Sequence, residues 1–309
     1  MQRLFFILLA VLFLPQMTCA ADATPVELKF PSDMSYGKLY GVYAPKKISD
    51  WKILVDERPF AVAKGIVQLP QDRPTARLEL SYAAAHHLDN LKTVGPALVG
   101  LVVSMDDFDD DALLKIGAVP QLRFLQISDC DITDKGLPAL GKLTNLSMLY
   151  ADSLAITGAG VSKTNWPQSL RLLNLSTNKL GDDCMQKLAG LKNLVHLQLG
   201  RTNIGDAGVK WIAQNPNITN LELQDNDITD KAVAYLAKMP KLQDLDLANT
   251  LVTDRSLIEL AKMSTLTGLR INVRRFSPEA IAKFHKVKPA CRLDGVSVHV
   301  NPELFRPLH

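Results

Sequence analysis

Histidines, aspartates and cysteines are the residues of this chain whose chemistry could support catalysis or metal binding. The six histidines share no spacing, and we expect the adjacent pair His86 and His87 to lie in solvent beside a short helix. The sequence contains no G-x-S-x-G, H-E-x-x-H, phosphate-loop or dinucleotide motif. We therefore predict that the protein is not an enzyme and requires no cofactor.

The aspartates form two patterns that a hard cation such as calcium could use. One is a cluster of five: Asp106, Asp107, Asp109, Asp110 and Asp111. The other is a column at the same position of successive repeats: Asp110, Asp134, Asp182, Asp206, Asp230 and Asp254. Each member of the column falls at a predicted helix start, where a carboxylate accepts backbone N–H groups and complements the helix dipole. We favour capping over calcium for both patterns and predict no metal site.

Three of the four cysteines follow the predicted signal peptide described below: Cys130, Cys184 and Cys291. Cys130 stands in a turn after a strand, and Cys184 falls in a column of small residues that pack against the next repeat. These two positions lie on different faces, two repeats apart, so we expect no disulfide between them. Buried thiols are the favoured interpretation over a redox or metal site.

The elements that position these residues come from one pattern that recurs every 24 residues, eight times, between residues 98 and 289. A leucine or isoleucine opens each repeat, and apolar residues follow three, five and ten positions later, as in Leu122, Leu125, Ile127 and Ile132. Alternating apolar positions predict a short strand with one buried face. The second half of each repeat has the apolar spacing of a helix, with Thr133, Thr157, Thr229 and Thr253 at the helix starts. One repeat cannot bury its leucines alone, so the repeats are expected to stack into an α/β solenoid.

Side chains that lie two, four and six residues into each repeat point away from this core and form the predicted binding surface. Its first half holds an apolar group, Phe124, Met148, Tyr150 and Leu172, which we expect to be exposed and to act as a protein-binding hot spot. Polar residues of the second half would set specificity. The N-terminal region covering the apolar group is the alternative. The complete predicted set is Phe124, Gln126, Met148, Tyr150, Asp152, Leu172, Asn174, His196, Gln198, Glu222, Asp244, Asp246 and Arg270.

The third repeat is irregular, because Thr164 replaces a leucine and Pro167 is expected to end the helix early. Trp166 either bulges outward towards a partner or folds into the core. We favour the inward position, since aromatic side chains commonly fill cores.

Residues 1–20 have the pattern of a secretory signal peptide, with Arg3, an apolar run over Leu4–Leu14 and cleavage expected after Ala20. The run is shorter than the ~20 residues of a membrane span, so no integral span is predicted. A lipid anchor on Cys19 is the alternative. The mature protein is therefore expected to be exported, either periplasmic or extracellular.

Residues 21–95 are predicted to be a β-rich region that caps the first repeat. In this region, Leu78 and Leu80 precede Leu101 and Val103 by 23 residues, as if Arg77–Leu80 were a degraded extra repeat. A rival hypothesis places an enzymatic activity in this region, but no motif supports it. The expected strands are Val26–Phe30, Lys38–Ala44, Trp51–Glu57, Ala61–Leu69 and Ala76–Tyr82. Residues 290–309 are predicted to be the C-terminal cap, with one last strand over Cys291–Val300.

Net charge adds little to the functional prediction. The chain has 35 Lys and Arg against 32 Asp and Glu, a formal charge of +3, which gives no footprint for nucleic acid. The basic residues near the C-terminal end are interpreted as a solvated cap: Arg270, Arg274, Arg275, Lys283, Lys286, Lys288 and Arg292.

Residues 96–289 resemble leucine-rich repeat proteins of the 24-residue I-T-D-x-G-L type, as seen in Ile132–Leu137, Ile228–Val233 and Val252–Leu257. With its predicted signal, the chain is similar to exported bacterial leucine-rich repeat proteins. The resemblance implies strands on a concave face, short helices on a convex face, and binding of proteins at the concave face. We predict a non-enzymatic exported protein with a protein partner and no small-molecule substrate. The alternative is a structural or adhesion component of the cell envelope that binds polysaccharide or self-associates.

Overall fold

The structure is a computed structural model that describes residues 26–43, 54–55, 59, 61–69, 75–104 and 108–295. The chain divides after Asn178 into two compact units, here called unit 1 and unit 2. The predicted signal peptide with Cys19, the residues Asp106 and Asp107, and the tail after Gly295 lie outside the described residues.

Unit 1 begins with short antiparallel strands. Strand β1 (Glu27–Lys29) pairs with β5 (Ile66–Gln68). Strand β2 (Gly37–Tyr43) pairs with β3 (Leu54–Val55), β4 (Ala61–Val62) and β6 (Thr75–Leu80). The single strand predicted over Ala61–Leu69 is two strands, because the chain turns at Gly65 with a φ of 61°.

Strand β6 continues this sheet into the repeats. It runs parallel to β7 (Leu98–Val103), with Leu78 opposite Leu101, which confirms the pairing expected from their spacing. The parallel strands β8 (Phe124–Ile127), β9 (Met148–Tyr150) and β10 (Leu172–Asn174) follow in order. The leucine column of these strands is fully buried, so it forms the predicted core: Leu101, Leu125, Leu149 and Leu173.

Helical segments return the chain between the strands of unit 1. They are a 3-10 helix over Tyr82–Thr93, α1 (Asp110–Ile116), a 3-10 helix over Leu137–Lys142 and α2 (Gly158–Lys163). Helix α2 ends early, as predicted, and Trp166 folds inward. Its side chain is 4% exposed, and its indole Nε1 donates to the Val161 carbonyl at 3.0 Å. The inward interpretation of Trp166 is therefore confirmed.

Unit 2 repeats the same helix and strand pair. Its helices are α3 (Met185–Ala189), α4 (Asp206–Ile212), α5 (Asp230–Leu236), α6 (Asp254–Ala261) and α7 (Pro278–Val287). Its parallel strands are β11 (His196–Gln198), β12 (Asn220–Glu222), β13 (Asp244–Asp246), β14 (Gly268–Ile271) and β15 (Arg292–Gly295). A short 3-10 helix covers Val273–Arg275. In each unit the sequence therefore folds as predicted, into stacked repeats of a parallel strand and a short helical segment.

The aspartate column has a different role from the one predicted. In unit 1, Asp110 begins α1, but its carboxylate accepts the backbone N–H of Thr133 at 2.8 Å and the Thr133 hydroxyl at 2.6 Å. Asp206 holds Thr229 in the same way in unit 2, at 2.8 and 2.7 Å. Each carboxylate thus fixes the threonine that precedes the helical segment of the following repeat, and Thr229 is the N-cap of α5. The predicted position of these aspartates at helix starts is confirmed, since Asp110 begins α1 and Asp206 begins α4. The prediction that they accept the free N–H groups of their own helices is wrong, because their side-chain hydrogen bonds go to the following repeat.

A second column lies in the turn that follows each strand, where the backbone is left-handed at residues other than glycine. Its members are Asp129, Ser153, Thr177, Arg201, Asp225 and Asn249, with φ between 54° and 58°. The amides of Asp129 and Asp225 donate to carbonyls of the following strand segment, those of Asp152 and Ala248. These hydrogen bonds hold the turns in a conformation that costs an L-residue ~1–2 kcal/mol.

The three cysteines in the described part of the chain, Cys130, Cys184 and Cys291, are buried, as predicted. Burial raises the pKa of the Cys184 thiol to about 12, which leaves it protonated and unreactive at neutral pH. Over the described ranges, no helix is both long and apolar enough to cross a bilayer.

Candidate functional site

The outward side chains of unit 1 form two rows across six strands, here called the unit 1 strand face. Strand pairing places the members of each row side by side. One row is Tyr40, Arg77, Gly100, Phe124, Met148 and Leu172. The other is Lys38, Glu79, Val102, Gln126, Tyr150 and Asn174. Residues separated by up to about 130 positions in the chain thus share one surface.

Two aromatic rings dominate the middle of this face. The ring centroids of Phe124 and Tyr150 lie 5.9 Å apart at an interplanar angle of 49°, a favourable tilted contact. Both side chains remain partly exposed. The described N-terminal strands extend the sheet beside β7, so they leave these rings accessible. The pair therefore offers rigid aromatic surface of the kind that anchors protein interfaces.

Two of the predicted anchors are less accessible than expected. Met148 is 9% exposed and Leu172 is 4% exposed, so the prediction that these side chains are exposed is wrong. Met148 lies directly between Phe124 and Leu172 on neighbouring strands, and side chains in register on adjacent strands cover each other. Met148 and Leu172 thus support the aromatic pair from within the face.

A partly buried carboxylate, that of Asp152, follows strand β9. Asp152 accepts hydrogen bonds from the Ser128 hydroxyl at 3.0 Å and from the Asn174 amide at 3.2 Å. Burial raises the pKa of Asp152, although the Ser128 hydrogen bond opposes this shift. Gln126 remains partly exposed, and strand pairing places it between Val102 and Tyr150.

Arg77 and Tyr40 also belong to the unit 1 strand face, and the sequence analysis missed them. The Arg77 guanidinium lies over the Tyr40 ring, 4.6 Å from its centroid. The Tyr40 hydroxyl donates to Glu79 at 2.7 Å. The outward position of Arg77 could have been predicted from the sequence. Once Leu78 and Leu80 are assigned to the leucine columns, strand alternation places Arg77 and Glu79 on the outward side.

The outward side chains of unit 2, here called the unit 2 strand face, are polar and bind one another. Glu222 Oε1 lies 3.1 Å from His196 Nε2 and accepts the Gln198 amide at 2.8 Å. Burial alone would raise the pKa of Glu222, but the hydrogen bonds from His196 and Gln198 and the charges of His196 and Arg270 lower it overall. The side-chain carbonyl oxygens of Gln198 and Gln224 are buried, and no described residue donates a hydrogen bond to them.

A second network of unit 2 is built on two aspartates. Asp246 is 4% exposed and forms an ion pair with Arg270 at 2.8 Å. Burial raises the pKa of Asp246, and the Ala248 amide and Arg270 only partly offset this shift. Asp244 accepts the Asn220 amide at 3.0 Å and pairs with Arg292 at 3.4 Å. Arg292 reaches Asp244 across Gly268, where a Cβ atom would lie 2.1 Å from the Asp244 carboxylate.

The structure places the predicted site residues in two groups. Phe124, Gln126, Met148, Tyr150, Asp152, Leu172 and Asn174 lie together in unit 1, and His196, Gln198, Glu222, Asp244, Asp246 and Arg270 lie together in unit 2. Within the described ranges, no three His, Cys, Asp or Glu side chains come close enough to hold a metal ion. These faces offer apolar contact, hydrogen bonds and charge, which are the means of molecular recognition.

The comparisons with known proteins agree with this architecture. A family model described as Leucine Rich repeat matches residues 120–141, 167–189, 190–213 and 214–237. The fold is thus a leucine-rich repeat solenoid, with parallel strands alternating with short helices, as predicted. Proteins with this fold generally bind other proteins. No curated protein matches the chain.

Solved structures that resemble the chain include two internalins from Listeria monocytogenes. One internalin has a TM-score of 0.48 and 17% identity, and the match covers 68% of this chain and 70% of that one. An internalin C2 has a TM-score of 0.47 and 22% identity, and the match covers 68% of this chain and 87% of that one.

Proposed function

We propose that the protein is an exported, non-enzymatic leucine-rich repeat protein of the 24-residue I-T-D-x-G-L type, and that it binds a partner protein through the unit 1 strand face. The observation that carries this proposal is the contact between Phe124 and Tyr150, two partly exposed aromatic rings on adjacent outward rows. Aromatic side chains supply large contact areas at low entropic cost, and they are enriched where binding energy concentrates.

The support from Met148 and Leu172 strengthens this assignment. Anchor residues bind best when their rotamers are fixed before the partner arrives, because less side-chain entropy is then lost. Met148 lies beside Phe124 in the sheet, and Leu172 lies on its other side. Phe124 therefore has a packed neighbour in its row, and we assign Phe124 and Tyr150 as the main contacts, with Gln126 and Asn174 at the polar margin.

In this proposal, the unit 2 strand face contributes less directly to binding than the unit 1 strand face. Most of its charged groups already pair with each other, as Asp246 does with Arg270, so a partner would have to break those pairs to use them. We assign His196, Gln198, Glu222, Asp244, Asp246 and Arg270 to the stability of the face and to selection between partners. Export is proposed from the pattern of residues 1–20, with lipid attachment at Cys19 as the alternative.

Photocrosslinking tests the proposed binding face. Variants carry p-benzoylphenylalanine in place of Tyr150 or, as a matched control, in place of Leu114, an exposed apolar residue of α1. After irradiation in the native cell envelope, we expect a defined protein adduct at position 150 and none at position 114. Equal adducts at both positions would contradict the assignment. An adduct with polysaccharide, or with a second copy of the chain, would favour the structural or adhesion alternative.

A further inference from the structure

The Arg77 guanidinium is the group of the unit 1 strand face that has no ion pair within the described part of the chain. It is partly buried against the Tyr40 ring, and its Nε is buried with no hydrogen-bond acceptor among the described residues. Among the described residues, no carboxylate forms an ion pair with it. Burial lowers the pKa of Arg77, and the nearby Tyr40 and Glu79 only partly oppose this effect. A guanidinium has five N–H donors, and few acceptors surround this one, so it is suited to bind an external anion.

Neighbouring residues hold Arg77 in place. The Glu79 carboxylate lies nearby on the same side of β6, but it accepts the Tyr40 hydroxyl at 2.7 Å and forms no described ion pair with Arg77. On the other side stands Gly100, and a Cβ atom there would lie 3.0 Å from the Arg77 Cγ. The missing side chain therefore gives the arginine stem its space, while Tyr40 fixes one face of the guanidinium. Such preorganisation reduces the entropy that is lost when an anion binds.

Arg77 and the aromatic pair are close enough for one ligand segment to reach both. Arg77 and Phe124 are two strands apart, with only Gly100 between them. Strands are ~4.8 Å apart, so the two side chains start ~10 Å from each other. Two or three residues of an extended peptide span that distance. A carboxylate over Arg77 would then place a neighbouring side chain of the same segment on Phe124 and Tyr150.

We propose that the unit 1 strand face recognises a protein segment in which an acidic side chain pairs with Arg77 and an apolar side chain two or three residues away packs on Phe124 and Tyr150. This inference rests on the proposed function and specifies its ligand. A carboxylate suits the site better than a phosphate or an anionic lipid surface, because the two described rows hold only two cations, Arg77 and Lys38, and the Glu79 carboxylate lies next to both. Phosphate and membrane sites gather several cations instead.

A peptide selection followed by a double-mutant cycle tests the proposal. A random peptide library is selected on the full-length wild-type protein, and each selected peptide is made with its Asp or Glu and with the matching Asn or Gln. Affinities are measured for wild type, Arg77→Gln, Arg77→Lys and Phe124→Ala/Tyr150→Ala. The matched control is Arg123→Gln, since Arg123 precedes β8 and strand alternation places it on the opposite side from Phe124.

We expect Arg77→Gln and the peptide Glu→Gln change each to weaken binding about tenfold, and to be non-additive, because each removes the same charge-assisted hydrogen bond. Arg77→Lys should restore only part of the affinity, because lysine lacks the planar fork. Additive effects, or a loss of equal size with Arg123→Gln, would overturn the role of Arg77 and leave the binding face in place. Peptides that still bind Phe124→Ala/Tyr150→Ala, or a selection that yields no binder, would overturn the proposed function as well.

Discussion

The two strand faces are built from the same repeated sequence pattern, but they differ in how far their side chains pair with one another. In unit 1, Phe124 and Tyr150 are partly exposed, and Arg77 lacks a carboxylate partner among the described residues. In unit 2, Glu222 is held by His196 and Gln198, and Asp246 is paired with Arg270. Unit 1 therefore presents apolar surface that a partner could bury and a charge that it could pair, while unit 2 presents groups that already stabilise one another.

This difference teaches that polarity alone does not identify a recognition surface. Along the sequence, the polar columns of unit 2 have the composition of a surface for specific binding. Breaking a buried ion pair is costly, however, so such residues contribute to binding only when a partner replaces what they lose. Apolar and unpaired groups have no such competing interactions.

The largest expected effect compares two arginines, one on each face. Arg270→Ala should lower the free energy of unfolding by about 2–3 kcal/mol, because it leaves the buried Asp246 carboxylate without its cation. Arg77→Ala should cost about 1 kcal/mol or less, since it removes a cation–π contact and no ion pair. Urea denaturation of both variants measures the difference.

A second variant separates charge from packing in that comparison. Asp246→Asn/Arg270→Ala removes the buried charge as well, so it should recover part of the stability that is lost in Arg270→Ala. Equal losses for Arg77→Ala and Arg270→Ala would remove the distinction between an unsatisfied face and a self-paired one.

As the pH falls, the contributions of two carboxylates to folding stability should change in opposite directions. The pKa of Glu222 is lowered in the folded state, so its contribution to stability is present above its unfolded pKa of ~4.3 and is lost as pH falls through the folded value. Burial raises the pKa of Asp152 in the folded state. Its ionised form therefore lowers stability at neutral pH, and the penalty disappears as pH falls through the folded value towards the unfolded value of ~3.9.

Between ~pH 6 and ~pH 3, Glu222→Gln should accordingly lose less stability than wild type, and Asp152→Asn should lose more. Thermal unfolding over this pH range measures both slopes against wild type. Parallel pH profiles for the two variants would contradict the opposite pKa shifts that burial gives Asp152 and that hydrogen bonds and nearby charges give Glu222.

The smallest expected effect lies in the turns after the strands. Thr177 adopts a left-handed φ of 58° in unit 1, and Asn249 does so at 54° in unit 2. Thr177→Gly should raise the free energy of unfolding by about 0.5–1 kcal/mol, because a β-branched residue is strained there and the loss of glycine entropy offsets only part of the relief. Asn249→Gly should change stability little, since asparagine tolerates this conformation. A destabilised Thr177→Gly would indicate that the threonine side chain has a role beyond the turn.

The sequence alone predicts well which side chains of the repeats are buried in the core. Buried columns such as Leu101, Leu125 and Leu149 recur because every repeat must fill the same space between a strand and a helix. The same constraint predicts that β6 joins the repeats, since Leu78 and Leu80 match Leu101 and Val103.

The outward half is less predictable because it depends on neighbours that are remote in sequence. Met148 is outward in its own strand, yet Phe124 and Leu172 flank it in the sheet and bury it. The aspartate column also shows this limit, as Asp110 binds Thr133 of the next repeat rather than its own helix. Spacing along the chain identifies the face on which a side chain lies, but not the atoms that it meets there.

The most direct test of the account compares one double variant on each face. Affinity for a selected peptide or for the crosslinked partner is measured with Phe124→Ala/Tyr150→Ala in unit 1 and with His196→Ala/Gln198→Ala in unit 2. The account predicts a loss of about a hundredfold for the first, because two anchoring rings are removed, and less than about threefold for the second. A larger loss for the unit 2 variant, with both proteins folded, would contradict it.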